Sequence, residues 1–383
     1  MIDLKTIDDL IDWMIDGARP SANAREIVDA VCSMLVKAGV PVDRFSLFIY
    51  TLDPNLIGYR FAWTPDGGAV VSEGKLGLFS TPEYNANPLP HVIENRVSVR
   101  RKLCDPATPH DYKIVPELIA DGFTDYFVQP IIYTTDETNA VSWSSKADGG
   151  FSYEALAVLE RVNKPLARLT ETYLLRINAA TILSAYVGRN SGDQILSGKV
   201  HRGDGEEIEA AILFTDLVNF TAMSDALDGP QTVAILNDVF DLMVPPVADH
   251  GGEILKFMGD GFFAIFPYKG EEGREKSVVA SSQAVADAET ALAASSLGDL
   301  ISFRSAIHAG RFHYGNVGGA SRLDFTAIGR PVNYAARLLQ AAGSLKAPRV
   351  LSNLTADCLG DSVRLIGEME FKGFEGRQLV FAY

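Results

Sequence analysis

Between residues 190 and 207 the chain reads NSGDQILSGKVHRGDGEE, a run of glycine, polar and charged residues that lacks the regular apolar spacing found on either side. Such a break divides the 383 residues into two stretches, each long enough to close a core without disulfide or metal staples. Hydrophobic residues at 47% and charged residues at 22% are ordinary globular usage, which argues against a disordered or fibrous chain. With 34 Lys+Arg against 49 Asp+Glu the net charge is -15, and such a surface repels polyanions, so no nucleic-acid partner is expected. Cys32, Cys104 and Cys358 share no ligand spacing, which speaks for reduced thiols rather than a disulfide framework or a zinc site. The most apolar long window, Ser277 to Leu297, carries Asp287 and Glu289 and reads as a packed helix, not a membrane span. The opening MIDLKTIDDLIDWMIDGA is acidic where an export signal is basic. A cytoplasmic protein without a membrane partner is the expectation.

Upstream of the break, helical spacing over Ser21 to Val36 precedes strand-like runs at Arg44 to Thr51, Gly58 to Trp63, Tyr126 to Tyr133 and Ala140 to Ser144. A helix, then strands, then a helix reads as an α+β module. The exit helix, Tyr153 to Val187, repeats Leu159, Leu166, Tyr173, Ala180 and Val187 at sevens, with Val162, Leu169 and Leu183 interleaved and Arg176 interrupting. That spacing fits a two-stranded helical seam or a helix packed on its own domain; the seam is favoured because the helix joins two domains. Pro165 is a point for a kink or a restart. The divisions expected are 1–152 for a regulatory module, 153–206 for a helical dimerisation and signalling linker, and 207–383 for a second domain.

Downstream, a strand at Glu209 to Thr215 is followed by a helix (Pro230 to His250), a hairpin (Glu253 to Phe266), a helix (Lys276 to Leu297), strands (Ser302 to Val317), a helix (Pro331 to Ala342) and a last strand pair (Val363 to Tyr383). The order predicts a ferredoxin-like βαββαβ sheet with helices on one face. In LFTDLVNFT an apolar strand ends in Asp216, and in EILKFMGDGFFAIF two apolar strands flank Gly259-Asp260-Gly261. Each alone is an ordinary turn aspartate. In a βαβ-hairpin arrangement the strand end lies beside the hairpin tip, so Asp216 and Asp260 share a site. Two close carboxylates need a cation between them, and hard oxygen ligands favour Mg²⁺ or Mn²⁺ with a phosphate-bearing substrate.

These two segments, with HAGRFHYGNVGG at 308 to 319 and RLDFTAIGRPVNYAARL at 322 to 338, resemble in order the class III nucleotidyl cyclases over residues 207 to 383. The resemblance implies that Asp216, Asp260 and the backbone carbonyl of Leu217 hold two divalent cations. It makes Lys256 and Thr326 the adenine readers, because an ammonium donates to adenine N1 and a hydroxyl accepts from N6, whereas guanine presents the opposite pattern. The threonine resembles the subgroup described as bicarbonate-responsive. Asn333 and Arg337, four apart on a helix, become the ribose-orienting group and the cation that stabilises charge on the α-phosphoryl oxygens. Lys372 becomes a triphosphate contact, with an exposed hairpin lysine as the alternative; Arg330 receives no role. The implied activity is adenylate cyclase, ATP to 3′,5′-cyclic AMP and pyrophosphate, at sites shared by a homodimer. His308 and His313, expected on a strand pair bent at Gly310, are read as packing, and His201 and His250 as exposed.

Residues 1 to 185 loosely resemble GAF-like sensor modules, which implies a small-molecule effector there or a dimerisation scaffold. A guanylate or dual-specificity cyclase is the nearest alternative, against which Lys256 speaks. A diguanylate-forming enzyme shares the strand order, but the turn here reads Met258-Gly259-Asp260-Gly261-Phe262. A catalytically silent nucleotide-binding regulator is the alternative from another class, and the presence of Asp216, Asp260, Asn333 and Arg337 speaks against it.

Overall fold

Alternation along one strand sets the layering of the N-terminal half: Phe45, Leu47 and Ile49 are buried on one side, while Arg44, Ser46, Phe48 and Tyr50 line the other. The structure, a computed structural model, describes residues 1–20 and 23–383. Ser21 and Ala22, expected to open the first long helix, lie outside the described residues. Two units are formed, Met1–Ile182 and Leu183–Tyr383.

The first unit runs α1 (Leu4–Ile15), α2 (Ala24–Lys37), β1 (Arg44–Tyr50), β2 (Leu56–Thr64), β3 (Gly68–Lys75), α3 (Pro82–Asn85), α4 (Pro88–Asn95), β4 (Val99–Arg101), α5 (Ile114–Ala120), β5 (Asp125–Ile132), β6 (Thr138–Ser145) and α6 (Tyr153–Val187), which continues past the unit boundary. Its antiparallel sheet has the order β3-β2-β1-β6-β5-β4. Ile7, Leu10, Val31, Leu35, Trp143 and Leu159 bring α1, α2 and α6 onto one face. Val92, Val115, Leu118 and Tyr126 cover part of the other face beneath α4 and α5.

The exit helix departs from expectation in two ways. Leu159, Val162, Leu166 and Leu169 are at most 5% exposed and sit in the core of their own unit, so over this stretch the seven-residue repeat marks a helix packed on its own domain. The first unit extends to Ile182, so the segment expected as a linker from residue 153 begins inside it. The helix also runs unbroken through Pro165.

The second unit continues with α7 (Arg189–Leu196), β7 (Gly205–Leu217), α8 (Phe220–Ser224), α9 (Gly229–Asp249), β8 (Glu253–Met258), β9 (Gly261–Tyr268), α10 (Gly270–Ala293), β10 (Phe303–Gly318), β11 (Leu323–Ile328), α11 (Arg330–Leu345), β12 (Arg349–Ser352), α12 (Asn353–Ala356), β13 (Arg364–Glu370) and β14 (Arg377–Ala382). Its sheet is ordered β13-β14-β12-β10-β7-β9-β8, with β11 on β10, so the β10-β7-β9-β8 block has the expected ferredoxin-like arrangement. A capping box of Asp228 and Gln231 starts α9.

Helices cover both faces rather than one. Val239, Met243, Val278 and Val285 of α9 and α10 pack on Leu213, Phe262 and Phe266. On the opposite face α11 sets Ala335 against Ile212 and Phe214, and Tyr334 and Leu338 against Ala306 and Val350. Residues 303–318, expected as a bent strand pair, are a single strand, and Gly310 serves another purpose: a Cβ there would run into the Pro331 ring at the start of α11. The polar run after residue 187 is also not loose. Asn190 N donates to Glu253 Oε1 at 2.9 Å, and the buried Ser191 hydroxyl bonds to that of Tyr314.

Candidate functional site

Strand β7 alternates Ala210, Ile212 and Phe214 onto the α11 face, and Asp216 continues that face at the strand end. Asp260 stands in the β8–β9 turn. Gly259 takes a φ of +65°, the left-handed conformation that tight turns assign to glycine. Gly261 carries no side chain for a different reason: a Cβ there would overlap the Thr215 carbonyl oxygen. The hairpin tip is latched to β7, with Phe262 N donating to Thr215 Oγ1 at 3.1 Å and Leu217 N to the Asp260 carbonyl at 3.2 Å. Asp216 and Asp260 are thereby brought together.

Their proximity has an electrostatic signature. Burial, then the charge of Asp260, pushes the Asp216 carboxyl above the usual carboxylate range, and Arg304 acts the other way from 3.6 Å. With a side chain 41% exposed, Asp216 can still be reached from solvent. Hard oxygen donors whose charges repel suit a divalent cation; among the described residues no cluster of three or more His, Cys, Asp or Glu forms a complete ligand set.

Lys256 lies on β8 and Thr326 on β11, strands that are not neighbours in the sheet. Lys256 Nζ nevertheless reaches Asp324 Oδ2 at 2.6 Å, and Asp324 shares the strand face of Thr326, two residues on. Both partners are about half exposed, so the pair contributes about 0.2–1 kcal/mol and is easily rearranged. A bulge between Ile254 and Lys256 alters the local register of β8.

Asn333 and Arg337 lie on α11, and Arg337 Nη1 donates to Gln340 Oε1 at 2.9 Å. Their helix turns Tyr334, Ala335 and Leu338 into the core, which leaves Asn333 exposed. Lys372 is exposed in the β13–β14 connection, beside a cavity of about 490 Å³ bordered by Phe371, Phe374 and Arg377. Arg330 stacks its guanidinium 4.9 Å from the Phe374 ring centroid, a structural reason for a residue without an assigned role. His308 is held as packing: burial pulls its pKa down to about 4, Ser352 Oγ lies 2.7 Å from Nδ1, and its ring leans on Tyr334. His250, expected as exposed, pairs with Asp287 at 2.8 Å with a quarter of its side chain accessible.

Two neighbours of the site were not singled out in the sequence. Arg304 stands opposite Asp216 because β10 and β7 are registered there, a relation between residues 88 apart in the chain that no local pattern carries. Asp324 was readable in principle, since on a strand a residue two before Thr326 shares its face.

Residues 205–382 match the family model of the adenylate and guanylate cyclase catalytic domain. The second unit thus carries a class III adenylate/guanylate cyclase catalytic domain. Adenylate cyclase 1 of Rhizobium meliloti is 34% identical over 135 residues, which cover 34% of this chain and 20% of that protein. An uncharacterized protein of Mycobacterium tuberculosis is 34% identical over 163 residues, 42% of this chain and 29% of its own. The match therefore spans less than a third of these curated relatives. The crystal structure of the adenylyl cyclase CyaB from P. aeruginosa is 28% identical with a TM-score of 0.40, covering 46% of this chain and 94% of that one. No helix among the described residues is long and apolar enough to cross a membrane.

Proposed function

We propose that the chain is an adenylate cyclase that converts ATP to 3′,5′-cyclic AMP and pyrophosphate at sites shared between two copies. The observation that carries this reading is the Asp216–Asp260 pair, held together by the latch between the hairpin tip and β7. Asp216, Asp260 and the Leu217 carbonyl would hold two divalent cations, Mg²⁺ or Mn²⁺, which when bound polarise the triphosphate and ease ionisation of the ribose 3′-hydroxyl. Lys256 and Thr326 read the adenine edge, and Lys256 leaves Asp324 to do so. Asn333 orients the ribose. Arg337, released from Gln340, stabilises charge on the α-phosphoryl oxygens, and Lys372 steadies the leaving phosphates. Because the exposed Phe257 and Met258 flank the hairpin tip, cover by a second copy would bury apolar surface next to the carboxylates. The first unit acts as a regulatory, GAF-like module whose antiparallel sheet is clad by helices on both faces.

One observation favours guanylate or dual specificity: the Asp324 carboxylate beside Lys256 is an acceptor of the kind guanine N1–H requires. Product formation from ATP and from GTP with Mn²⁺ and with Mg²⁺ tests both readings. Cyclic AMP from the native chain, its loss in Asp260→Ala, and partial recovery on mixing Asp216→Ala with Arg337→Ala chains are the expected results. Binding of ATP with no pyrophosphate release would make the chain a silent nucleotide binder. No rescue in the mixture would overturn the shared site.

A further inference from the structure

The sheet of the first unit carries an unmatched pair of cations. On the β1 face turned away from the main core stand Arg44 and Ser46, and the neighbouring strands add Arg60 from β2 and Ser142 from β6. Arg60 is registered with Phe48, yet its Nε donates to Ser46 Oγ at 3.1 Å, so the side chain runs back along β1 toward Arg44. Beside them β5 contributes Tyr126, only 4% exposed.

Among the described residues neither arginine has a carboxylate in ion-pair reach, and the Arg44 guanidinium makes no hydrogen bond. The ion pairs of this unit go to other cations, Arg100 with Asp125 and Arg101 with Asp111 among them. In a chain with 49 acidic residues the missing partner is not a matter of supply. Arg60 is solvent-accessible, yet burial, and after it the charge of Arg44, lowers its pKa, with Tyr126 opposing.

Guanidinium forks match carboxylate and phosphate oxygens, and the Ser46 hydroxyl, which accepts from Arg60 Nε and keeps its own proton to donate, completes such a cradle, whereas Ser142 Oγ donates to the Ser46 carbonyl at 3.3 Å. We infer that Arg44 and Arg60, with the Ser46 hydroxyl between them, form a site for the oxyanion group of a small molecule, a phosphate ester or a carboxylate. The inference is independent of the cyclase chemistry, since every residue involved belongs to the first unit.

The tryptophans supply a selective readout, because all three, Trp13, Trp63 and Trp143, lie in the first unit and Trp143 stands next to Ser142 on β6. The full chain, in EDTA and at constant ionic strength set with chloride, is titrated with orthophosphate and separately with citrate while the indole ¹⁵N–H signals are followed. A saturable shift with at least one probe is expected, unchanged in Asp260→Ala and weakened at least tenfold in Arg44→Gln and Arg60→Gln. Response to orthophosphate alone identifies a phosphate ligand, and response to citrate alone a carboxylate. Arg60→Lys, which keeps the charge and loses the fork, should bind with intermediate strength and guards against a folding defect. Without an anion, Arg60→Gln should melt no lower than the native chain, because it removes a repulsion. No saturable shift with either probe, equal shifts in the arginine variants, or a marked loss of stability in anion-free Arg60→Gln would overturn the site.

Discussion

Two sheets of this protein each hold a pair of like charges, and the pairs are opposite in sign. Asp216 and Asp260 are drawn together by a glycine-bracketed turn latched to a strand end, and Arg44 and Arg60 by a side chain folded back along its neighbour. Other buried or half-buried charges are paired with their opposites, as in Arg349 with Glu289 and Arg100 with Asp125. Where like charges converge, with Arg304 only partly offsetting the carboxylates and no carboxylate among the described residues within ion-pair reach of the arginines, folding works against repulsion that a bound counter-ion relieves. His308 supplies the contrast. It too has a strongly shifted pKa, but it is neutral, bonded to Ser352 and stacked on Tyr334, so its shift records burial and requires no ligand.

The comparison breaks most visibly at the carboxylates. Asp260→Ala should abolish cyclic nucleotide formation, and Mn²⁺ should raise the melting temperature of the native chain but not of this variant. If metal stabilises both equally, the pair is not the cation site. Next in size is Arg337→Ala, expected to lower kcat by roughly 10²–10³-fold with little effect on KM, read in single-turnover assays. An effect confined to KM would make Arg337 a ground-state contact only.

The neutral histidine gives a smaller, pH-dependent effect. Its folded pKa of about 4 lies below the ordinary 6.5, so between these values the unfolded chain binds the proton more readily. Stability is therefore complete above pH 6.5 and falls on acidification through that window, by about 2 kcal/mol at pH 5. His308→Gln should flatten the dependence of the urea midpoint between pH 7 and pH 5; an unaltered slope would assign it to other groups. Smallest of all is the effect of Arg60→Gln on anion-free stability, a zero or slightly positive shift in melting temperature. Its sign matters more than its size, because an arginine that merely packs would shift it the other way.

Much of the second unit was legible in order along the chain. Strand and helix periods, the Pro230 start and the glycines around Asp260 are local properties, set by backbone sterics and apolar spacing within a few residues. What the same reading missed depends on partners far apart in sequence. Arg304 faces Asp216 through the β10–β7 register, Lys256 reaches Asp324 across non-adjacent strands, and the polar run after residue 187 is tied down by Glu253 and Tyr314.

The exit helix shows the limit best. Its seven-residue repeat is the same whether the apolar stripe meets a second helix or its own sheet, and only the packing of Leu159, Val162 and Leu166 beside Trp143 separates the two. The chain by itself thus determined most of the long helices and several of the strands, residues 303–318 being a single strand rather than the expected pair, and which carboxylates end a strand or tip a turn. Tertiary structure alone decided which faces are covered, which charges meet and which are left unmatched. The reason is physical: periodicity is written by neighbours along the backbone, whereas register, burial and electrostatic pairing arise between residues that only folding brings within a few ångströms.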